Sequence, residues 1–387
     1  MAYTTLFKTL SEIIPCKNLS SDIIYPIALD IGYSAVKGFS PVSRFCFPSF
    51  AKEMLGEIIG TPQPTDILYR GENGIVYAVG DMAISGLSSR DTNDASNTLF
   101  GRNRYFSPSF LVLARVGMAI AMKRNQNGGF QKGDTLFLQT GLPPAYRMAD
   151  TPLLVDALSG LHKFEVKLGN CGWRQFEFVL EPGHISVIDQ PIGSVYSATK
   201  SSDGKTILAS NGKTYIDCRS LVLDGGFGTL DVFSIVNRSI NSANTFNDLG
   251  MKAIFEHTAA DIFQMHGKEI YAHTMQPFLK AGSINVFNRK TRSTETHDIS
   301  DILERNTAAV CESALRKIEA AYDDLTDYDY LITTGGTGAA WLPYIRERYA
   351  RMTTLEIVCA NQNEDISPVY NNVRGYYIFR ALSGLKN

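Results

Sequence analysis

Short apolar runs that end in glycine-rich turns mark the parts of this chain that carry chemistry. In the most distinctive case an apolar run, residues 221–223, leads into Asp224; glycines follow at positions 225, 226 and 228, and a β-prone run begins at Leu230. This pattern predicts a buried strand, a tight turn and a returning strand. Glycine permits positive φ and removes Cβ atoms, so the backbone N–H groups of the turn can close around an anion, to which Thr229 adds a hydroxyl. A plain hairpin with a glycine tip is the competing interpretation.

A second turn of the same kind lies near the start of the chain. Aligning Asp30 with Asp224 places Gly32 on Gly226 and an aromatic residue next to each glycine. Two matched turns suggest two similar halves that face one another across a cleft. A carboxylate at the mouth of each turn would repel a bare phosphate, so we expect Asp30 and Asp224 to flank Mg²⁺, which they would hold through water. Lys37 supplies a cation able to reach a β- or γ-phosphate.

A third glycine cluster follows another short apolar strand, within residues 330–342. Gly335, Gly336 and Gly338 come directly before a helical pattern. The N-terminus of such a helix would favour phosphate or sugar oxygens. Three turns of this kind are hard to explain as ordinary loops.

The order of these motifs resembles the phosphate-1, phosphate-2 and adenosine motifs of the actin, Hsp70 and sugar-kinase superfamily. The motifs read Asp30-Ile-Gly-Tyr-Ser with Lys37, Asp224-Gly-Gly-Phe-Gly-Thr-Leu-Asp231 and Thr334-Gly-Gly-Thr-Gly338. Within the superfamily the chain is most similar to prokaryotic actin-like proteins of the ParM type and their archaeal relatives, a branch that Tyr77-Ala-Val-Gly-Asp81 and Gln139-Thr-Gly-Leu-Pro143 also resemble. The resemblance implies an α/β, actin-like (ribonuclease H-like) fold with two domains and a nucleotide cleft between duplicated halves.

The resemblance also implies the domain bounds and the residues that bind nucleotide. We expect an N-terminal extension over residues 1–24, a first domain over residues 25–194 closed by a helix at 368–387, and a second domain over residues 195–367. The residues expected to contact ATP or GTP are Gly32, Tyr33, Ser34, Lys37, Gly225, Gly226, Phe227, Gly228, Thr229, Lys252, Glu256, Gly335, Gly336, Thr337 and Gly338. For Lys252 and Glu256, a surface ion pair one helical turn apart is an equally good interpretation.

Gln190 is the candidate for orienting the attacking water. It lies where a predicted strand ends and Pro191 opens a helix. Actins place glutamine at the corresponding position, and ParM proteins a glutamate. With Asp30 and Asp224 it completes the expected catalytic set, although Asp189 is a rival and a helix cap is the plain alternative. Glutamine is not a strong base, so slow, Mg²⁺-dependent hydrolysis is expected.

Composition narrows the class of protein. The chain has 387 residues, 44% hydrophobic content and 20% charged residues, as expected of a globular protein with two or three domains. A net charge of −2 without a basic block does not indicate direct nucleic-acid binding. Six scattered cysteines fit reduced thiols in the cytoplasm. No membrane segment is predicted, and residues 5–14 are interpreted as one amphipathic helix.

Three functions fit these features. The first is a self-polymerising actin-like ATPase or GTPase whose filaments segregate plasmid or other low-copy DNA, through a DNA-binding adaptor at a centromere-like site. The second is a small-molecule kinase of the same superfamily, for which Asp189 is the available catalytic carboxylate. The third is a cytoskeletal or cell-shape scaffold. We favour the first because the resemblance is to ParM-type chains. P-loop, dinucleotide-binding, hydrolase-elbow and zinc-protease motifs do not occur in the sequence.

Overall fold

Buried strands form three main sheets that organise the chain. The computed structural model describes residues 3–20, 23–56, 60–86, 102–361 and 364–384. In the first sheet the strand order is β1-β4-β3-β2-β8-β11. Its strands are β1 (Glu12–Pro15), β2 (Tyr25–Ile31), β3 (Ala35–Ser40), β4 (Ser43–Pro48), β8 (Leu136–Leu142) and β11 (Ile185–Asp189). The β2, β8 and β11 strands are parallel, whereas β1 to β4 form antiparallel pairs.

The second sheet combines strands from residues 51–79 with a hairpin from residues 160–180. Its order is β10-β9-β6-β7-β5. The strands are β5 (Ala51–Glu53), β6 (Ile67–Gly71), β7 (Val76–Val79), β9 (Gly160–Leu168) and β10 (Arg174–Leu180).

The third sheet holds the central glycine turn. Its order is β14-β13-β12-β17-β18, and β15 with β16 forms a separate hairpin. The strands are β12 (Ser220–Gly225), β13 (Leu230–Val236), β14 (Ser239–Phe246), β15 (Ser283–Asn288), β16 (Ser293–Asp298), β17 (Tyr330–Thr334) and β18 (Glu356–Cys359). Because β12 pairs in parallel with β17, Asp224 lies beside Thr334, so the second and third glycine clusters meet at one sheet edge.

Helices connect the strands and pack against the sheets. They are α1 (Asp81–Ser85), α2 (Pro108–Met122), α3 (Pro144–Leu158), α4 (Gln190–Thr199), α5 (Met251–His266), α6 (Gln276–Ala281), α7 (Ser300–Ala321), α8 (Gly335–Arg348) and α9 (Asn371–Gly384). Ser107 caps α2, its side-chain oxygen accepting from the N–H of Phe110. The last helix, α9, packs against α4 and the first sheet.

The prediction of a helix over residues 5–14 is wrong. Tyr3–Phe7 is a 3-10 turn whose Phe7 packs in the hydrophobic core around the third sheet, and Glu12–Pro15 is an edge strand paired with β4. The apolar pattern that suggested one helical face instead serves two different cores. Among the described residues, no helix combines the length and the apolar character that crossing a membrane requires.

Candidate functional site

The first glycine turn joins β2 to β3 and holds a buried ion pair. Asp30 and Lys37 are register partners across the hairpin, and the Lys37 Nζ lies 2.8 Å from the Asp30 Oδ2. The Asp30 side chain is 6% exposed and that of Lys37 is 18% exposed. Burial by itself lowers the pKa of Lys37, but the charge of Asp30 and the hydrogen bond to it outweigh burial and raise that pKa. Lys37 is therefore a fixed ammonium group at neutral pH.

Asp224 ends the central strand of the third sheet and is almost completely buried. Its Oδ2 accepts a hydrogen bond of 2.6 Å from the Nδ2 of Asn372, which lies on α9. Burial raises the pKa of Asp224 to about 6; the bond from Asn372 opposes this rise, and the negative charge of Asp30 adds to it. The carboxylates of the two turns are thus close enough to interact electrostatically.

A second buried carboxylate, Asp231, lies beside Asp224 on the returning strand. The two are register partners in the β12–β13 hairpin. Asp231 accepts hydrogen bonds from the hydroxyls of Thr229 at 3.1 Å and Thr245 at 2.5 Å. Burial raises the pKa of Asp231 to about 7, the charge of Asp224 adds to this, and the two hydroxyls oppose it. The second turn is therefore rich in negative charge that its hydrogen bonds only partly stabilise.

The third glycine cluster approaches the second turn so closely that side chains do not fit between them. Gly335 has a φ of +76°, and a Cβ there would lie 2.3 Å from the carbonyl oxygen of Gly225. A Cβ on Gly225 would in turn lie 2.5 Å from the N atom of Gly338. Thr337 donates a hydrogen bond of 2.6 Å to the carbonyl oxygen of Gly226. These glycines permit the approach of two backbone segments.

The tips of the first two turns also contact each other. A Cβ added to Gly228 would lie 2.7 Å from the ring of Tyr33. Two cavities adjoin the glycine turns. Both cavities are lined by Ser34, Lys37, Gln190, Gly226 and Phe227. The first is lined also by Asp224, Gly335, Gly336 and Thr337, and the second also by Asp30, Gly32, Tyr33, Gly228 and Thr229.

Gln190 and its neighbour Asp189 have different surroundings. Gln190 is the first residue of α4 and lines both cavities. Asp189 accepts a 2.6 Å hydrogen bond from the Nε of Arg147, and its side chain makes no capping bond to α4. Asp189 therefore occupies the N-cap position of α4 but does not cap the helix through its side chain. This geometry favours Gln190 over Asp189 as the group that faces the cleft.

Lys252 adjoins the second turn through its backbone, whose N–H donates a 2.8 Å hydrogen bond to the carbonyl oxygen of Phe227, but the side chains of Lys252 and Glu256 pair with each other. They form an i,i+4 ion pair of 3.5 Å on α5, with side chains 39% and 55% exposed. Neither is among the residues that line the two cavities. The surface-pair interpretation describes this arrangement, and their contact with a nucleoside stays a prediction.

Buried carboxylates lie around the two turns, although the described residues contain no cluster of three or more potential metal-ligating side chains. Asp30, Asp224 and Asp231 are three buried carboxylates, whereas the cations that interact with them are Lys37 and Arg104. Burial raises the pKa of Asp224 and that of Asp231; the charge of Asp30 adds to the first rise, and the charge of Asp224 adds to the second. Carboxylate oxygens are the ligands that Mg²⁺ prefers, usually together with waters and substrate phosphates.

Two site residues were missed by the sequence analysis. Asn372 comes from the far end of the chain, and its side chain links Asp224 to Ser194 through hydrogen bonds. Arg104 donates a 2.5 Å hydrogen bond to the carbonyl oxygen of Ile31 and lies 4.8 Å from the centre of the Tyr33 ring. The two adjacent asparagines at the start of α9 were a signal for Asn372, whereas nothing local indicated Arg104.

Comparison with known proteins identifies the architecture. Residues 28–193 match the family model described as the N-terminal domain of actin-like proteins. A ParM protein, a non-polymerisable quadruple mutant, superposes with a TM-score of 0.70 at 17% identity, over 92% of this chain and 99% of that one.

This chain has an actin-like fold. A ParM from a 15-stranded filament of Clostridium botulinum gives a TM-score of 0.69 at 16% identity, over 94% of this chain and 99% of that one. An archaeal actin homologue in complex with ADP gives 0.59 at 15% identity, over 93% of this chain and all of that one. No curated protein matched the sequence. The predicted resemblance and the actin-like fold class are thereby confirmed.

Proposed function

We propose that this chain binds a Mg²⁺-bound nucleoside triphosphate, ATP or GTP, between its two glycine turns. The observation that carries the proposal is the meeting of Lys37, Asp224 and the third glycine cluster around one cavity. The N–H groups of the turns and the Lys37 ammonium suit phosphate oxygens. The fit to ATP is supported by an archaeal homologue of the same fold whose structure was determined with ADP.

Asp30 and Asp224 would hold the metal through water, and the bound metal would supply charge neutralisation of the phosphates. Lys37 contributes a permanent positive charge on the first turn. Gln190, at the start of α4, has a side chain that donates and accepts hydrogen bonds but is no strong base, so it would position water rather than remove its proton. Slow hydrolysis follows from that limitation, as a timer of assembly requires.

We also propose that nucleotide binding drives self-assembly into filaments that segregate plasmid or other low-copy DNA from within the cytoplasm. Similar structures include a ParM filament and a ParM mutant named as non-polymerisable. The net charge of −2 supports the use of a DNA-binding adaptor at a centromere-like site instead of direct contact with DNA. In this proposal residues 25–194 with 368–387 form the first domain and residues 195–367 the second.

The kinase alternative has less support. It requires a carboxylate free to accept a proton from a substrate hydroxyl, and Asp189 is engaged by Arg147 at 2.6 Å.

Light scattering tests the proposal. The chain at micromolar concentration is mixed with Mg·ATP or Mg·GTP, and with the same nucleotides in excess chelator. We expect scattering to rise with at least one Mg-nucleotide, to fall as nucleotide is consumed, and to stay flat with chelator. A flat signal with both Mg-nucleotides would remove the filament proposal.

A further inference from the structure

The segment before the first glycine turn connects two parts of the molecule. The part that contains the third sheet is here called the second half, and the part that contains the first sheet is called the first half. The first part of the segment, the turn Tyr3–Phe7, is embedded in the second half. Phe7 is 3% exposed and its ring centre lies 6.5 Å from that of Phe255. Thr4 is fully buried, and the hydroxyls of Tyr3 and Tyr344 lie 3.3 Å apart. This end is held by apolar packing.

The second part of the segment belongs to the first sheet. β1 pairs with β4 from Glu12 opposite Cys46 to Pro15 opposite Ser43. The hydroxyl of Tyr370 donates a 2.8 Å hydrogen bond to the Glu12 Oε1. Only residues 8–11, here called the tether, lie between the two anchored ends.

One side chain holds the tether to the second half. Gln276, the first residue of α6, accepts a 2.8 Å hydrogen bond from the N–H of Thr9 through its Oε1. Its Nε2 donates a 3.3 Å hydrogen bond to the carbonyl oxygen of Phe7. Both ends of the Gln276 amide are therefore used to fix the chain where it leaves the second half.

The tether forms part of the wall of the candidate nucleotide site. Residues 6–10 and Gln276 line the cavity that Asp224 and Lys37 also line. Met251 and Phe255 line the same cavity and offer apolar surface suited to a base. The five residue steps from Phe7 to Glu12 span at most about 17 Å when fully extended. An anchored tether thus limits how far the halves separate at this cavity.

We propose that the tether is a gate for nucleotide exchange and that Gln276 is its latch. The inference rests on the proposed function. A nucleotide held in the cavity leaves readily only when the tether releases Gln276, because the anchored tether both bounds the cavity and restrains opening of the cleft. Since the latch blocks entry as well as exit, its loss accelerates association and dissociation together.

Stopped-flow exchange of a fluorescent ADP analogue in Mg²⁺ tests the gate. Gln276→Leu removes both hydrogen bonds, and Thr9→Pro removes one donor without changing the second half. Gln264→Leu, at an exposed position on α5, is the matched control. We expect Gln276→Leu, which loses two hydrogen bonds, to speed dissociation about tenfold. Thr9→Pro, which loses one, should speed it about fivefold. Association accelerates similarly, so Kd changes by less than about threefold.

Three outcomes overturn the gate. Release at the wild-type rate in both variants shows that the latch does not control exchange, while leaving nucleotide binding intact. A weaker Kd with unchanged association shows that the segment only contacts the nucleotide. No binding by the unmodified chain removes the proposed function and the gate with it. If Gln276→Leu does not fold, Thr9→Pro decides between the first two.

Discussion

Replacing Asp224 by asparagine separates the stability of the site from its function. Asp224 is 2% exposed and burial raises its pKa to about 6, against about 3.9 for a free aspartate. An acid whose pKa is higher in the folded chain binds more protons when folded, so its contribution becomes less favourable as pH rises from about 4 to about 6. A difference of about two pKa units corresponds to about 3 kcal/mol above this range, and to about half of that near pH 5.

Asp224→Asn keeps an oxygen to accept the hydrogen bond from Asn372 and removes the buried charge. We therefore expect the nucleotide-free variant to be more stable than the wild type by up to about 3 kcal/mol near pH 8. For a chain of 387 residues, an unfolding entropy of about 0.8 kcal/mol/K converts this into a Tm increase of about 4 °C. The same variant should lose Mg²⁺-dependent nucleotide binding.

Thermal unfolding near pH 5 and near pH 8, with and without Mg-nucleotide, measures both the gain in stability and the loss of nucleotide binding. The exposed Asp156→Asn is the control, for which we expect no change in Tm and normal stabilisation by nucleotide. If Asp224→Asn has a lower Tm than the wild type near pH 8, the buried Asp224 carboxylate does not destabilise the folded chain. Full stabilisation of that variant by Mg-nucleotide would refute the role of this carboxylate at the metal.

Three further changes test other parts of the site. Lys37→Met leaves Asp30 buried without its ion-pair partner, so we expect the unfolding free energy to fall by about 3 kcal/mol in urea denaturation. The double variant with Asp30→Asn should recover most of this loss. Gly335→Ala places a methyl group 2.3 Å from the Gly225 oxygen at a φ of +76°; a loss of about 2–4 kcal/mol is expected, and an unchanged Tm would contradict the geometry. Gln190→Ala should slow phosphate release at least about tenfold while leaving nucleotide affinity within about twofold, and equal loss of both would assign Gln190 to binding.

The strand-turn-strand pattern was sufficient to predict the central elements of the fold. The run into Asp224 and the returning run from Leu230 form β12 and β13. In each case the local apolar period and the turn or cap residues favour one structure. Glycine spacing also indicated where backbones approach closely, as at Gly335.

Features that depend on distant pairing were not predictable in this way. Residues 5–14 have a helical apolar pattern, yet Glu12–Pro15 pairs with β4, a partner that no local signal specifies. Asn372 reaches Asp224 only because α9 returns to the first sheet. The pKa of Asp231 likewise reflects burial and the neighbouring Asp224, which appear only once the sheet is assembled.

The central claim is that one Mg-nucleotide is held between the two turns, and calorimetric titration tests it most directly. Mg·ATP and Mg·GTP are titrated into the nucleotide-free chain, with chelator as the control and Lys37→Met as the comparison. The account predicts binding of one nucleotide per chain for at least one of the two, dependent on Mg²⁺ and greatly weakened by Lys37→Met. Absence of binding with both nucleotides, or equal binding by Lys37→Met, would contradict it.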